Sequence, residues 1–186
     1  MAILVVSGSA RNVGKTSLVC GLIAALPEFS WTAVKITSHD HGRPEPLWEE
    51  TEAGQGTDTA RYLAAGAHRA FLIAAGEADL PRHLAALWQT LGHGAHAIFE
   101  SNRILGHLRP DLCLAVEPGI DAVKKHSYGL VERQKGATVR PAVFDRAEHN
   151  PGPTCAPPVF YLAAFERIPP QMRDWIREQL GARAGN

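Results

Sequence analysis

Cysteine is scarce in this chain. Cys20, Cys113 and Cys155 are the only three in 186 residues, and no C-x-x-C pair occurs. An odd, scattered set argues against a disulfide framework and against a structural zinc site. Excess charge is also lacking, since 19 basic residues balance 19 acidic ones. No net positive field is therefore available to hold a nucleic acid. Long hydrophobic runs are missing too. The apolar run near the start, Ile3–Val6, is far shorter than the roughly 20 residues of a membrane span and too short for a signal-peptide core. The expectation is a cytoplasmic protein with neither nucleic acid nor membrane among its partners. No internal repeat is visible.

What is present is ordinary for a soluble globular domain, with 45% hydrophobic and 20% charged residues. The length suits one domain over residues 1–186. Short apolar runs alternate with helical patterns. Ile3–Val6 runs into Ser7-Gly8 and reads as a buried strand followed by a loop. Thr16–Leu26 reads as a helix stopped by Pro27. Trp31–Thr37, Arg69–Ala75, Ala95–Phe99 and Asp111–Val116 read as strands. Thr57–Ala65 is helical, with Gly66 as its C-terminal cap. Asp79–Leu91 is helical, with Asp79 as N-cap and Pro81 in the first turn. His39–Gln55, rich in Glu, Pro and Gly, reads as a loop. Glu117–Val139 gives no clear pattern. Arg140–Phe144 and Val159–Leu162 are short strand candidates, Pro170–Leu180 is a closing helix and Gly181–Asn186 a frayed tail. Cys20 and Cys113 fall inside elements as small core residues, and Cys155 falls in a Pro-rich loop. Strands alternating with helices predict an α/β fold with a doubly wound, mostly parallel sheet.

The segment Gly8-Ser9-Ala10-Arg11-Asn12-Val13-Gly14-Lys15-Thr16-Ser17 lies between the first strand and the first helix. That is the setting of a P-loop. Backbone N–H groups of such a loop and of the helix start point at an anion. Ser9 to Ser17 are the candidate nucleotide-binding residues: Ser9, Ala10, Arg11, Asn12, Val13, Gly14, Lys15, Thr16 and Ser17. Gly14 allows close approach to phosphate oxygens, Lys15 supplies a point charge at the β- and γ-phosphates, and the Thr16 hydroxyl suits Mg²⁺. Five residues separate Gly8 from Gly14, one more than the usual spacing.

A P-loop needs a carboxylate for Mg²⁺ or its water. Glu100 ends the apolar strand Ala-His-Ala-Ile-Phe-Glu at the sheet edge where ligands bind in open α/β folds. Asp40 follows the second strand, flanked by His39 and His41, and is placed to orient a water or an acceptor. The candidate metal set is Thr16, Asp40 and Glu100, and the candidate catalytic set Lys15, Asp40 and Glu100. His-x-His in an extended segment secures only a pair of transition-metal ligands, so the histidines read better as cleft lining or surface. Lys124, Lys125 and Arg133–Lys135 read as a solvated basic face.

Gly56-Thr57-Asp58-Thr59 followed by Ala65-Gly66-Ala67, together with Ala33-Val34-Lys35-Ile36-Thr37-Ser38-His39-Asp40-His41 and Ile98-Phe99-Glu100-Ser101, resembles the molybdopterin-guanine dinucleotide biosynthesis protein B family. The resemblance covers residues 3 to 117 and departs from that family at Ser101, where it has glycine. It implies a P-loop NTPase fold, a homodimer, GTP binding with Mg²⁺, and weak hydrolysis. The implied role is to assist guanylylation of the molybdenum pterin cofactor, with that cofactor and its nucleotidyltransferase as partners. By position it puts Lys15 and Thr16 on phosphate and metal, Glu100 on the metal, and Lys35, Asp58 and Arg61 in the neighbouring cleft, which His39 would join. The long P-loop is instead similar to that of dethiobiotin synthetase, which implies an ATP-dependent small-molecule kinase or ligase. In that case Lys35 would anchor an anionic substrate. No Asn-Lys-x-Asp guanine-reading motif occurs, so ATP and GTP both remain open.

Overall fold

A computed structural model describes residues 1–38, 45–92, 94–118, 128–142 and 157–183. The strands are β1 (Ile3–Gly8), β2 (Thr32–Thr37), β3 (Leu47–Glu50), β4 (Arg69–Ala74), β5 (Ala97–Glu100), β6 (Leu112–Val116), β7 (Ala137–Pro141) and β8 (Val159–Leu162). The helices are α1 (Lys15–Ala25), α2 (Asp58–Ala64), α3 (Leu80–Leu91), α4 (Tyr128–Gln134) and α5 (Pro170–Arg183), with 3-10 turns at Pro27–Phe29 and Arg103–Gly106.

The strands form one sheet in the order β3-β4-β2-β5-β1-β6-β7-β8. Every neighbouring pair is parallel except β3 with β4. This is the α/β, mostly parallel architecture that the alternation of elements predicts. Side chains alternate across each strand, and the core divides accordingly. Leu4, Val6, Ala33 and Ile98 face α1, α2 and α5, whereas Val5, Val34, Phe71 and Phe99 face α3 and α4. On α3 the buried stripe is Leu80, Leu84 and Leu87, the spacing of one helix face.

Several boundaries differ from the sequence reading. β3 lies inside the segment read as a loop. It is an edge strand, half-exposed, and Arg69 on β4 grips Glu49 across the pair at 2.6 and 2.8 Å. Polar edge strands lack the apolar run that marks central ones. β7 begins three residues earlier than Arg140, because Gly136 brings the chain against β6. Its N–H donates to the Cys113 carbonyl at 2.8 Å, and a Cβ there would lie 2.6 Å from Leu112. The closing helix continues through Gly181 to Arg183. Asp79 precedes α3 but its side chain makes no capping bond. It pairs with Arg82 instead, at 3.6 Å. Gly66, at φ 102°, does close α2. Gly66 N–H bonds the Leu63 carbonyl and Ala67 N–H the Tyr62 carbonyl, each at 3.0 Å, a Schellman pattern.

The chain leaves β1, passes to β2 beyond the place β5 later fills, builds outward, and returns through β5 before starting the other half at β6. Connections therefore diverge at β1, and the crevice at the strand C-termini opens there. The far half also reaches this crevice. A Cβ on Gly21 of α1 would lie 2.6 Å from the Phe165 carbonyl oxygen and 2.9 Å from the Glu166 Cα. Gly21→Ala sets helix propensity, a gain of about 1 kcal/mol, against overpacking that costs about 1–3 kcal/mol. The clash is with backbone, so a net loss of about 1 kcal/mol is expected. A lower urea midpoint at unchanged m-value would show it; a raised midpoint would mean that the 165–166 turn does not press on α1.

Candidate functional site

The loop between β1 and α1 is built from unusual backbone. Asn12 and Gly14 both have positive φ, 55° and 94°. Gly14 is the N-cap of α1, contributes no side-chain cap, and no acid occupies the first turn. The positive end of the helix dipole and its first N–H groups are thus left for an anion. A Cβ on Gly14 would lie 2.3 Å from the Phe165 ring, so glycine is required there on two grounds. Lys15 folds back over the loop, its Nζ donating to the Ala10 carbonyl at 3.2 Å. Ser9 is 1% exposed and its hydroxyl is buried without a hydrogen-bond partner.

One cavity of about 700 Å³ lies in front of this loop. Arg11 to Ser17 line one side. β2 and the residue after it contribute Lys35 to Ser38, α2 contributes Asp58 and Arg61, and the end of β5 with the turn after it contributes Glu100 to Arg103. Glu100, at 3% exposure, is the focus. Thr16 Oγ1 donates to its Oε2 at 2.8 Å, Tyr62 Oη donates to the same oxygen, and the Lys35 ammonium binds Oε1. Lys35 also pairs with Asp58 at 2.9 Å. Arg61 stands 3.9 Å from Asp58 and 3.9 Å from Glu166, and donates to Ser17 at 3.3 Å.

The protonation states follow from these contacts. Burial alone would lower the Lys35 pKa, but the Glu100 carboxylate and then Asp58 outweigh it and raise it. Burial alone would raise the Asp58 pKa, but Lys35, Thr16 and Arg61 outweigh it and lower it. Both partners of the ion pair are therefore held charged. Burial, reinforced by Glu100, raises the Tyr62 phenol well above its ordinary value, so it stays a donor. The Ser17 hydroxyl bonds Glu166 and, with Arg61, lowers that carboxyl's pKa.

The structure brings the sequence-predicted residues Arg11 to Ser17, Lys35, Asp58, Arg61 and Glu100 to one cavity wall. Ser9 and Ala10 lie behind it in the loop. His39 and Asp40 lie outside the described residues, as do His41, Lys124, Lys125 and Cys155. Sequence reasoning missed Tyr62, Asn102, Arg103 and Glu166. For Tyr62 a signal existed, because Asp58, Arg61 and Tyr62 share one helix face at i, i+3 and i+4. Asn102 and Arg103 follow Glu100 directly but carry no motif.

No protein-family model and no curated protein matches the sequence. Among solved structures, the chain is similar to the "apo" form LpxK from Aquifex aeolicus in complex with ATP, at 17% identity and a TM-score of 0.48, over 85% of this chain and 53% of that one. The chain spans about half the length of that protein.

Removing Lys35 would leave Glu100 buried without its cation. Breaking a buried pair in this way costs about 3 kcal/mol, so Lys35→Met should lose about that much at pH 7 in urea unfolding. The sign with pH follows from the shifts. Asp58, with its lowered pKa, contributes stability above the ordinary aspartate value, and loses it as pH falls through the folded pKa. Lys35, with its raised pKa, contributes below the ordinary lysine value and loses it only as pH rises through the folded pKa. The gap between wild type and Lys35→Met should be fully present from about pH 7 to 9 and narrow in acid, where the carboxylates left without their cation take up protons. No gap at pH 7 would refute the assigned pairing.

Proposed function

We propose that this protein binds a magnesium–nucleoside triphosphate in the Gly8–Ser17 loop and turns it over slowly. The observation that carries this reading is the 2.8 Å bond between the Thr16 hydroxyl and Glu100, directly after the Gly14-Lys15 helix start. It joins the candidate phosphate residues and the strand-end acid at one point of one cavity. The oxygens of Thr16, Glu100 and Asp58 meet there, with the Lys35 ammonium bound to both carboxylates, and oxygen ligands fit a hard cation. Among the described residues no cluster of three or more His, Cys, Asp or Glu side chains forms a complete metal cage. That suits Mg²⁺, which takes a carboxylate or two and completes its shell with substrate phosphates and waters. When bound, Mg²⁺ would neutralise charge on the β- and γ-phosphate oxygens.

The residues divide the work. Loop and first-turn amides bind the polyphosphate, and Lys15 leaves the Ala10 carbonyl to reach its outer phosphates. Thr16 and Glu100 would hold the metal. Lys35, fixed between Glu100 and Asp58, places a cation beside the γ-phosphate position, where charge builds in the transition state. Asp40 is assigned the orientation of the attacking water or acceptor. GTP is the nucleotide and assistance to molybdenum cofactor guanylylation the role, in a homodimer. The Lys35–Asp58 ion pair supports this finer reading, because it joins the two sequence blocks that carry the family resemblance.

A second reading is an ATP-dependent small-molecule kinase or ligase. The cavity favours it, because beyond the phosphate loop its wall continues along Thr37, Ser38, Ser101 and Arg103, and its volume lies within the range of small-molecule sites.

Equilibrium binding of ATP and GTP with Mg²⁺, on wild type and Lys15→Ala, tests both. The variant should bind about 10- to 100-fold more weakly, the loss of charged hydrogen bonds. A GTP preference supports the accessory role. An ATP preference, with ADP release stimulated by a metabolite, supports the kinase or ligase. Equal weak binding by both proteins would overturn nucleotide binding at this loop. Glu100→Gln should reduce Mg²⁺-dependent turnover more than affinity, and unchanged turnover would move the metal role elsewhere.

A further inference from the structure

We infer that Asn102 is a positioning residue for the phosphate loop, acting through a two-point bond to the backbone of Gly8. The inference rests on the nucleotide-binding reading of that loop.

In the parallel pair β1–β5, the backbone groups of alternate β1 residues face β5. Val6 faces it, and its carbonyl accepts the Ser101 N–H at 3.2 Å. Gly8 faces it next, whereas the Ser9 N–H points the other way, to the Val116 carbonyl of β6 at 3.0 Å. A continued ladder would satisfy Gly8 with backbone groups of the residues after Glu100. The chain turns away instead, into the 3-10 turn Arg103–Gly106. The Arg103 N–H, the donor that the ladder would have used, is taken by the Ser101 hydroxyl at 3.0 Å.

The Asn102 carboxamide fills the gap. Its Oδ1 accepts the Gly8 N–H at 2.9 Å, and its Nδ2 donates to the Gly8 carbonyl at 2.9 Å. Only one amide orientation satisfies both bonds. A side-chain amide carries the same donor and acceptor as a peptide unit, so it stands in for one more rung of the sheet. Ser101 and Asn102 work as a pair, one diverting the backbone and the other replacing it.

The consequence reaches the site through Gly8. A Cβ there would lie 2.8 Å from the Val13 Cγ2 and 3.0 Å from the Lys15 Cδ. The loop folds back directly onto the clamped residue, so the position of Gly8 fixes those of Val13 and Lys15. Asn102 follows Glu100 by two residues, so the same turn that carries the acid sets the place of the lysine. Asn102 itself lines the cavity.

The test is nucleotide affinity of wild type, Asn102→Ala and Asn102→Asp between pH 8 and about pH 4, where an ordinary aspartate is about half protonated, read at each pH as the ratio to wild type so that titration of the phosphates cancels. The charged groups sharing the cavity are common to all three proteins: Arg11 and Lys15 from the loop and α1, Lys35 from β2, Asp58 and Arg61 from α2, Glu100 and Arg103 from the β5 end. Asn102→Ala should bind about tenfold more weakly at every pH, the loss of paired hydrogen bonds. Asn102→Asp should be as weak at pH 8, where its carboxylate opposes the Gly8 carbonyl, and should recover toward wild type in acid, where its O–H donates to that carbonyl. Full affinity in both variants overturns the inference. Equal loss without acid recovery also overturns it, because the residue would then act by packing alone. Amide hydrogen exchange gives an independent reading: Gly8 should be protected in wild type and exposed in Asn102→Ala, and fast exchange in wild type rules out the clamp. Wild type that binds no nucleotide would overturn the proposed function instead, with Gly8 exchange still reporting the clamp.

Discussion

Burial of the Glu100 carboxylate is the constraint on which the site depends. A carboxylate at 3% exposure is costly unless every side of it is paired or hydrogen-bonded. The three donors that satisfy it come from three elements: Thr16 from α1, Lys35 from β2 and Tyr62 from α2. The short helix α2 is thereby committed to lie against α1 and the sheet, and its Thr57 cap, which accepts the Ala60 N–H at 3.0 Å, fixes where it begins. Once α2 is docked, Asp58 at its start falls on Lys35, and Arg61, one turn on, falls between Asp58, Ser17 and Glu166. The polar side of the cavity thus follows from one buried acid and the geometry of a seven-residue helix.

Much of this was legible in the sequence, for a physical reason. The central strands β1, β4, β5 and β6 carry near-continuous apolar runs, and β2 one interrupted by Lys35, as strands covered on both faces do. Glu100 stands out because an acid closes such a run. The Gly8–Ser17 loop stands out through local chemistry, glycines and a Gly-Lys-Thr at a helix start. The less legible parts depend on register between distant segments. Tyr62 lay in plain view on the same face as Asp58 and Arg61, yet its hydroxyl has meaning only once Glu100 lies against it, 38 residues away. Asn102 is similar, because nothing in Glu-Ser-Asn-Arg marks the asparagine until β1 and β5 are aligned. β3 escaped notice because an edge strand needs no continuous apolar pattern, and the start of β7 was placed three residues late because Gly136, a breaker in sequence terms, permits contact with β6.

The sheet order explains why these residues meet. β5 enters the sheet last of the left half, between β1 and β2. Its C-terminal tip therefore emerges between the Gly8–Ser17 loop on one side and Lys35 on the other. Any other position in the sheet would separate Glu100 from one of them. The register makes this concrete, since Glu100 is level with both Val6 of β1 and Lys35 of β2.

The segment after β8 is not a passive appendage to this arrangement. Phe165, after β8, packs on Gly14 so closely that no side chain fits between them, and the Phe165–Glu166 backbone lies on Gly21, about two helical turns further along α1. Glu166 then takes the Ser17 hydroxyl and faces Arg61. The first turn of α1 is therefore held from behind by the turn before α5, while its front faces the cavity. A helix N-terminus can present its amides to an anion only if it is held in place. Here the sheet edge at Glu100 and Asn102 fixes the loop on one side, and the 165–166 turn fixes it on the other. That placement accounts for glycine at both 14 and 21: each marks a spot where backbone and ring must come closer than any Cβ permits.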